Sequence, residues 1–445
     1  MSKDIHKKKH LSSFQLIILG FAGVILFGAI ILMLPVSSAE GVMTPFNQTL
    51  FTSTSAVCVT GLAVLDTGSY WSVFGQVVIL LLIQIGGLGV VTVAVSVFML
   101  SGRKISLMQR STMQNAISAH KVGGIVRLTK FILKGTLFIE MAGALALLPV
   151  FYHDFGRKGI WMAVFHSISA FCNAGFDILG TPANPFPSIT AYAGNPIVNV
   201  VIMFLIIAGG IGFLTWEDIC INKIHFRKYH MQSKIILVTT AFLIVLPAIF
   251  FFFSDFTYLS VGKRLLASAF QAVTPRTAGF NTMDISKMTE VSKAMIIILM
   301  LVGGSPSSTA GGMKTTTFAV LILNAFATFR SQENVETFGR RIEYSVIKNA
   351  STIAMMYCML FLCGGITISV YEGLPLLECL YEAASAVGTV GLTLGITPKL
   401  HIVSQFILII LMYLGRVGGL TLIYAVLSKK KKGNARLPLE KLTVG

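Results

Sequence analysis

Five stretches of the chain, Phe14–Leu34, Phe74–Leu100, Ile197–Leu214, Ile235–Phe253 and Ser404–Leu427, stay apolar for about the length of a bilayer crossing, which takes roughly 20 helical residues. No other feature restricts the fold as strongly. In hydrocarbon every backbone N–H and C=O must find its partner within the chain, so such runs become helices. A membrane β-barrel would instead carry short alternating segments. Only 12% of the 445 residues are charged and 54% are hydrophobic, where soluble domains carry roughly a quarter charged residues. The chain therefore reads as an all-α polytopic membrane protein. The first run follows MSKDIHKKKH with no small-residue cleavage site behind it, as suits a retained helix and not a signal peptide.

The formal net charge of +17 is gathered in a few places: KDIHKKKH at the N-terminus, the stretch around Arg103–Arg127, INKIHFRKYH, Arg330–Lys348 and KKKK at 429–432. If these five face the cytoplasm, the positive-inside rule accounts for the excess, and no nucleic acid is needed to explain it. Both termini are then cytoplasmic, and the connections holding Glu40, Asp66, Asp177 and Glu372 face outward. The six cysteines lie in apolar contexts without the spacing of a disulfide framework or a zinc site.

A short phrase recurs four times. SAVCVTG ends at Gly61, SAFCNAG at Gly175, the stretched QAVTPRTAG at Gly279 and SAVGTVG at Gly391, each just over 100 residues from the last. Every phrase sits in the same surroundings: a long apolar helix, a short half-apolar segment, the phrase, a polar stretch, and a second long helix carrying a glycine pair (IQIGGLG, IIAGGIG, LVGGSPSS, RVGGLT). Such internal periodicity organises the whole chain. It divides into 1–100, 101–233 with a preceding cytoplasmic loop, 234–330, 331–428 and a tail at 429–445, giving eight crossings. The pairs Gly86–Gly87 and Gly209–Gly210 read as close helix packing.

The segments FNQTLFTSTSAV, MAVFHSISAF, LLASAFQAV and ECLYEAASAV offer about three helical turns each, roughly half a bilayer. Pro45 and Pro375 stand where two of them begin. They read as re-entrant half-helices, and non-helical backbone at that depth must be buried in protein or line a watery cavity. Backbone carbonyls converging on an axis can replace the hydration shell of a cation. Glycine supplies the positive φ that such a turn requires, and the negative C-terminal ends of the half-helices favour positive charge. Cys58, Cys172, Arg276 and Gly388 precede the four glycines by three residues; the matched cysteines are read as small residues behind a tightly packed backbone, not as a redox pair.

SAVCVTG, SAFCNAG, TPRTAGF and SAVGTVG strongly resemble the four pore loops of the Trk/Ktr/HKT cation transporter superfamily, and the resemblance covers essentially the whole chain. It implies four tandem repeats around one pseudo-fourfold pore, with eight transmembrane helices and four re-entrant half-helices. It also implies a potassium filter formed by the carbonyls of Val59, Thr60 and Gly61; Asn173, Ala174 and Gly175; Thr277, Ala278 and Gly279; and Thr389, Val390 and Gly391. Some plant members have serine at the first glycine position and favour sodium. Glycine at 61 therefore implies potassium, with weaker discrimination than a longer filter motif gives.

Residues 303–317 read GGSPSSTAGGMKTTT, four glycines, a proline and seven Ser/Thr residues inside the apolar crossing Met295–Phe329. No helix continues comfortably through them. By resemblance, Gly303, Gly304, Ser305, Pro306, Ser307, Ser308, Thr309, Ala310, Gly311 and Gly312 form an intramembrane gating loop, with Arg416 of the last helix beside it. An ionisable residue at that depth faces a cavity or a partner, and Glu140, the other deep charge, is the candidate partner in an ion pair. Lys314 at the end of the loop is expected to snorkel to cytoplasmic water.

No Walker sequence, no dinucleotide fingerprint after a strand, no HExxH and no GxSxG is present. The expectation is a transporter with no enzymatic activity, no catalytic residue and no cofactor in this chain, moving K+ down its electrochemical gradient. The resemblance implies a homodimer in the plasma membrane, in contact with lipid, and a cytosolic ring of nucleotide-binding RCK subunits that reads ATP or ADP. The tail GNARLPLEKLTVG is a candidate contact with the other protomer. A Na+-coupled K+ symporter of the same fold is the alternative. An intramembrane enzyme lacks its catalytic constellation, and a voltage-gated channel lacks a helix with arginine at every third position.

Overall fold

The computed structural model of the chain describes residues 12–100, 110–114 and 124–419. The basic segments at 3–10 and 429–432, the tail at 433–445 and most of the basic stretch after Arg103 lie outside the described residues. The expectations placed on them, including the sidedness of the termini, lie there too.

The regular elements of the described residues are almost entirely helices, and their order repeats. A long helix α1 (Ser13–Met33) is followed by a short α2 (Phe46–Val57), a coil, and the pair α3 (Val73–Leu88) and α4 (Val90–Leu100). The order returns as α5 (Ile125–Phe155), α6 (Lys158–Phe171), α7 (Pro196–Gly210) and α8 (Phe213–Asn222). It returns again as α9 (Met231–Ser254), α10 (Val261–Val273), α11 (Glu290–Leu301) and α12 (Thr315–Phe329). A short two-stranded hairpin, β1 (Glu336–Thr337) and β2 (Arg340–Arg341), then leads to α13 (Tyr344–Glu372), α14 (Leu376–Gly388) and α15 (Ile402–Val417). Pro45 and Pro375 cap the N-termini of α2 and α14.

The packing repeats as well. On α1, a β-carbon added to Gly28 would lie 2.5 Å from Ser53 Oγ of α2 and 2.7 Å from Leu82 of α3. On α5, one added to Gly143 would lie 2.5 Å from Ser167 Oγ of α6 and 2.8 Å from Leu205 of α7. Each serine also donates to a carbonyl one turn back on the long helix, Ser53 to Ile25 and Ser167 to Glu140, both at 2.7 Å. Small residues thus let a polar short helix nest against a long one, and its hydroxyls borrow long-helix carbonyls instead of water. Tyr413 of α15 donates to Ile18 O of α1 at 2.8 Å, joining the last helix to the first.

The second long helices depart from the expected straight crossings. The runs Phe74–Leu100 and Ile197–Leu214 each break, and their halves meet at 99° and 98°. The corners are Gly89 (φ +86°, ψ 132°) and Gly212 (φ +91°, ψ 141°), and Gly418 ends α15 in the same shape (φ +85°, ψ 142°). That region of backbone space is open essentially to glycine alone. Hydropathy continues through the corner while direction does not. Four helices among the described residues are consequently long and apolar enough to cross a membrane, or up to six if each bent pair is one span.

Candidate functional site

The four phrase glycines meet. Gly61, Gly175, Gly279 and Gly391 have φ of +93°, +68°, +77° and +91°. A β-carbon on Gly61 would strike Ala174 O and lie 3.1 Å from Gly175 Cα; on Gly175 it would lie 2.7 Å from Ala278 O and 3.0 Å from Gly279 Cα. On Gly279 it would strike Val390 O and lie 3.2 Å from Gly391 Cα; on Gly391 it would strike Thr60 O and lie 3.0 Å from Gly61 Cα. Each glycine therefore faces the carbonyl before the next glycine, and after four steps the series closes on itself. No side chain fits anywhere on this ring.

Two features of the ring escaped the sequence reading. The residue two before each glycine is left-handed: Val59 (φ +57°), Asn173 (+58°), Thr277 (+64°) and Thr389 (+53°). Such a conformation is uncommon for any side chain and strained for a β-branched one, so the surroundings must enforce it. A hydroxyl at the base of each phrase does so. Ser55 Oγ and Ser385 Oγ accept from the N–H of Gly61 and Gly391, both at 3.0 Å. Ser169 Oγ and Thr274 Oγ1 donate to the carbonyls of Phe176 and Phe280, at 2.7 and 2.6 Å. The signal was the opening serine of three of the phrases.

Behind the ring, Cys58, Cys172 and Gly388 are small and buried, but Arg276 is not small. Its side chain is nonetheless buried, and its guanidinium donates to Thr240 O at 3.4 Å. Gly86, Gly209 and Gly415 press the second helices onto the ends of the half-helices. A β-carbon on them would strike the carbonyls of Val57, Phe171 and Val387 respectively.

The segment from Val302 to Lys314 is coil and turn between α11 and α12. Gly303 N donates to Met313 O at 2.8 Å, so the two ends of the loop run side by side. Ser305 N donates to Gly210 O at 2.9 Å and Thr309 N to Gly209 O at 3.3 Å, while Phe213 N donates to Ser307 O at 2.7 Å. On the opposite side, a β-carbon on Gly311 would lie 3.0 Å from the Thr389 methyl. Arg416 completes the enclosure, with Nη1 donating to Thr309 O and Nη2 to Gly86 O and Gly87 O.

Arg416 therefore binds backbone carbonyls, and the alternative, an ion pair with Glu140, is not formed. The Glu140 carboxyl instead accepts from Gln84 Nε2 at 3.3 Å and lies 3.9 Å from the Cys172 thiol. The α3–α4 corner explains the choice, because it takes the Gly86 and Gly87 carbonyls out of the regular helical ladder, Gly86 O accepting from Gly89 N at 3.1 Å, within reach of the guanidinium. Lys314 is half-exposed. Its ammonium folds back onto Ala310 O at 2.8 Å and, with Gly89, Gly312 and Arg416, lines a cavity of about 580 Å3 beside the loop.

Several apolar spans, short helices between them and a carbonyl-lined ring define a polytopic α-helical membrane protein. The sequence matches the family described as TrkH, cation transport protein, over residues 13–434, and the chain belongs to that family. It is 39% identical to the Potassium/sodium uptake protein NtpJ of Enterococcus hirae over 98% of both chains. It is 38% identical to the Ktr system potassium uptake protein B of Bacillus subtilis over 95% of both. The crystal structure of the potassium transporter TrkH from Vibrio parahaemolyticus shares the fold, with a TM-score of 0.75 over 96% of this chain and 87% of that one at 17% identity.

Proposed function

We propose that this chain is the ion-translocating membrane subunit of a potassium uptake system, with the glycine ring as its selectivity filter. The observation that carries the reading is the closed series Gly61, Gly175, Gly279, Gly391, each facing the next unit's carbonyl. A left-handed residue, a residue of ordinary φ and a positive-φ glycine in succession turn carbonyls toward a common axis. A desolvated K+ needs such a shell of oxygens. On this reading the four units surround one pore and make eight crossings, three of them bent or interrupted among the described residues, and the loop at 303–312 with Arg416 is the gate. An arginine held by carbonyls beside the loop both pins it and opposes the passage of cations. A homodimer in the plasma membrane and a cytosolic RCK ring that binds ATP or ADP complete the assembly; the name of the Bacillus subtilis relative, a component of a Ktr system, favours a multi-part machine.

A second reading is Na+-coupled K+ transport, favoured by the potassium/sodium uptake protein among the relatives. Liposomes holding the purified protein test both. Potassium-selective uptake that Gly61→Ser renders unselective supports the filter; unchanged selectivity in that variant refutes it. Sodium that stimulates uptake without crossing in fixed ratio favours the first reading over the second.

A further inference from the structure

We infer that the Asn173 side chain couples the gating loop to the filter, so that the ion held in the ring and the position of the loop are linked. This rests on the filter and gate reading above. Asn173 is the left-handed residue of the second unit, with φ +58°, and it is fully buried. Its Nδ2 donates to Arg276 O of the third unit at 3.2 Å and to Ile206 O of α7 at 3.3 Å. Two carbonyls facing the nitrogen fix the orientation of the amide, which leaves Oδ1 as an acceptor. That oxygen receives the Thr309 hydroxyl of the loop at 3.0 Å.

Thr309 is held on three sides. Its N–H donates to Gly209 O and its carbonyl accepts from Arg416. Its single hydroxyl proton has two acceptors, Asn173 Oδ1 at 3.0 Å and Phe171 O, at the end of α6, at 3.1 Å. A small rotation of the filter backbone at Asn173 therefore decides which acceptor the loop holds. Gly209 makes the approach possible: a β-carbon there would lie 2.7 Å from Asn173 Oδ1 and 2.8 Å from Thr309 Oγ1. The other left-handed residue that the loop touches, Thr389, meets Gly311 and makes no hydrogen bond to it. Asn173 is thus a positioning residue, and among the four equivalent residues it is the one through which the loop and the filter share a hydrogen bond.

Coupling is reciprocal. If the loop stabilises one shape of the filter, the ion that prefers that shape must steady the loop. The test is amide hydrogen exchange across residues 303–312 of the full-length reconstituted protein, in K+ and in Na+, for wild type, Thr309→Val, Thr309→Ser and Asn173→Gly. Glycine tolerates the left-handed backbone, so Asn173→Gly serves where Thr309→Val does not fold. In wild type the loop should exchange roughly two- to tenfold more slowly in K+, the range one buried hydrogen bond supports. Thr309→Ser should keep that ratio, while Thr309→Val and Asn173→Gly should bring it to one. Equal exchange in the two ions in wild type, or a ratio that survives both variants, overturns the coupling. Selectivity measured beside it in Gly61→Ser separates the two failures: a filter that depends on Gly61 with an ion-blind loop sinks the coupling alone.

Discussion

Two kinds of break interrupt the second helices. In the first and second units the chain turns at one glycine, Gly89 or Gly212, and Gly418 ends α15 with nearly identical backbone angles. In the third it unwinds from Val302 to Lys314. A single-residue corner leaves few polar groups without partners and locks the angle at which the backbone leaves it. The longer break leaves many; some pair within the loop, as Gly303 N does with Met313 O, and others are satisfied by other units: Gly209 O, Gly210 O and the Arg416 guanidinium. Part of its order is thus borrowed, and that part can be withdrawn without unfolding the rest. The corners belong to the scaffold and the loop to what the scaffold holds.

The strongest way to break that distinction is an added methyl. Gly86→Ala drives a β-carbon into the Val57 carbonyl, where α3 crosses the end of α2. Both sides are backbone, so the helices must part, at about 3 kcal/mol, read as a large fall in melting temperature. The same methyl at Gly303 meets Gly311 and Gly312 inside the loop, and should raise K+ flux with little change in melting. Equal losses of stability at the two sites would make the loop part of the scaffold.

Next comes Arg416→Gln. It removes charge-assisted hydrogen bonds to Thr309, Gly86 and Gly87, each class of bond being worth roughly 1.5–3 kcal/mol. Unpinning should raise K+ flux into liposomes about tenfold or more, while relief of the cost of burying the guanidinium offsets much of the lost bonding and keeps the fall in melting temperature small. A variant that melts early without faster flux would make Arg416 a structural strut.

Gly89→Ala and Gly212→Ala sharpen the comparison from the other side. Both force an L side chain into a glycine-only region, at roughly 1–3 kcal/mol. The space around Gly89 is open except for Thr92 Oγ1 at 3.8 Å, whereas a β-carbon on Gly212 would also strike Pro306 O of the loop. The two should lose similar stability, and only Gly212→Ala should change flux. If Gly89→Ala changes flux as much, the corners are not passive.

The parts of this molecule legible in its sequence were those that hydropathy and composition record. Long helices, the half-helices after Pro45 and Pro375, the four phrases and the break at GGSPSS all leave marks of that kind. Direction does not. VVTVAVSVFML is as apolar as the helix before it, so nothing in its composition betrays a 99° turn. Nor could spacing tell that Arg416 would choose carbonyls over Glu140, because two of them, Gly86 O and Gly87 O, come within reach only at that turn. The left-handed residues Val59, Thr277 and Thr389 ran against propensity, since β-branched side chains avoid positive φ. Hydroxyls at the base of the phrases, Ser55, Thr274 and Ser385, enforce them, and a recurrent serine is their only mark in the sequence.

The smallest effect belongs where hydrogen bonds are made in water. Asp284, in the polar stretch after the third glycine, accepts from Ser286 Oγ at 2.6 Å and Ser286 N at 3.1 Å, and pairs with Lys287 at 3.1 Å. The Ser286 hydroxyl above all, with smaller help from Lys287, holds its carboxyl below the usual aspartate pKa. A depressed value means that the folded chain favours the ionised form. The contribution is therefore present above the ordinary carboxyl pKa and is lost as the pH falls through the lower folded value. Because the pair is solvent-exposed, Asp284→Asn should cost less than about 1 kcal/mol at neutral pH and nothing once the pH is well below the folded value. K+ flux should not change at either pH. Carbonyl contacts inside the molecule gate it on this account, so a flux that followed Asp284 ionisation would shift control from the loop to the outer surface.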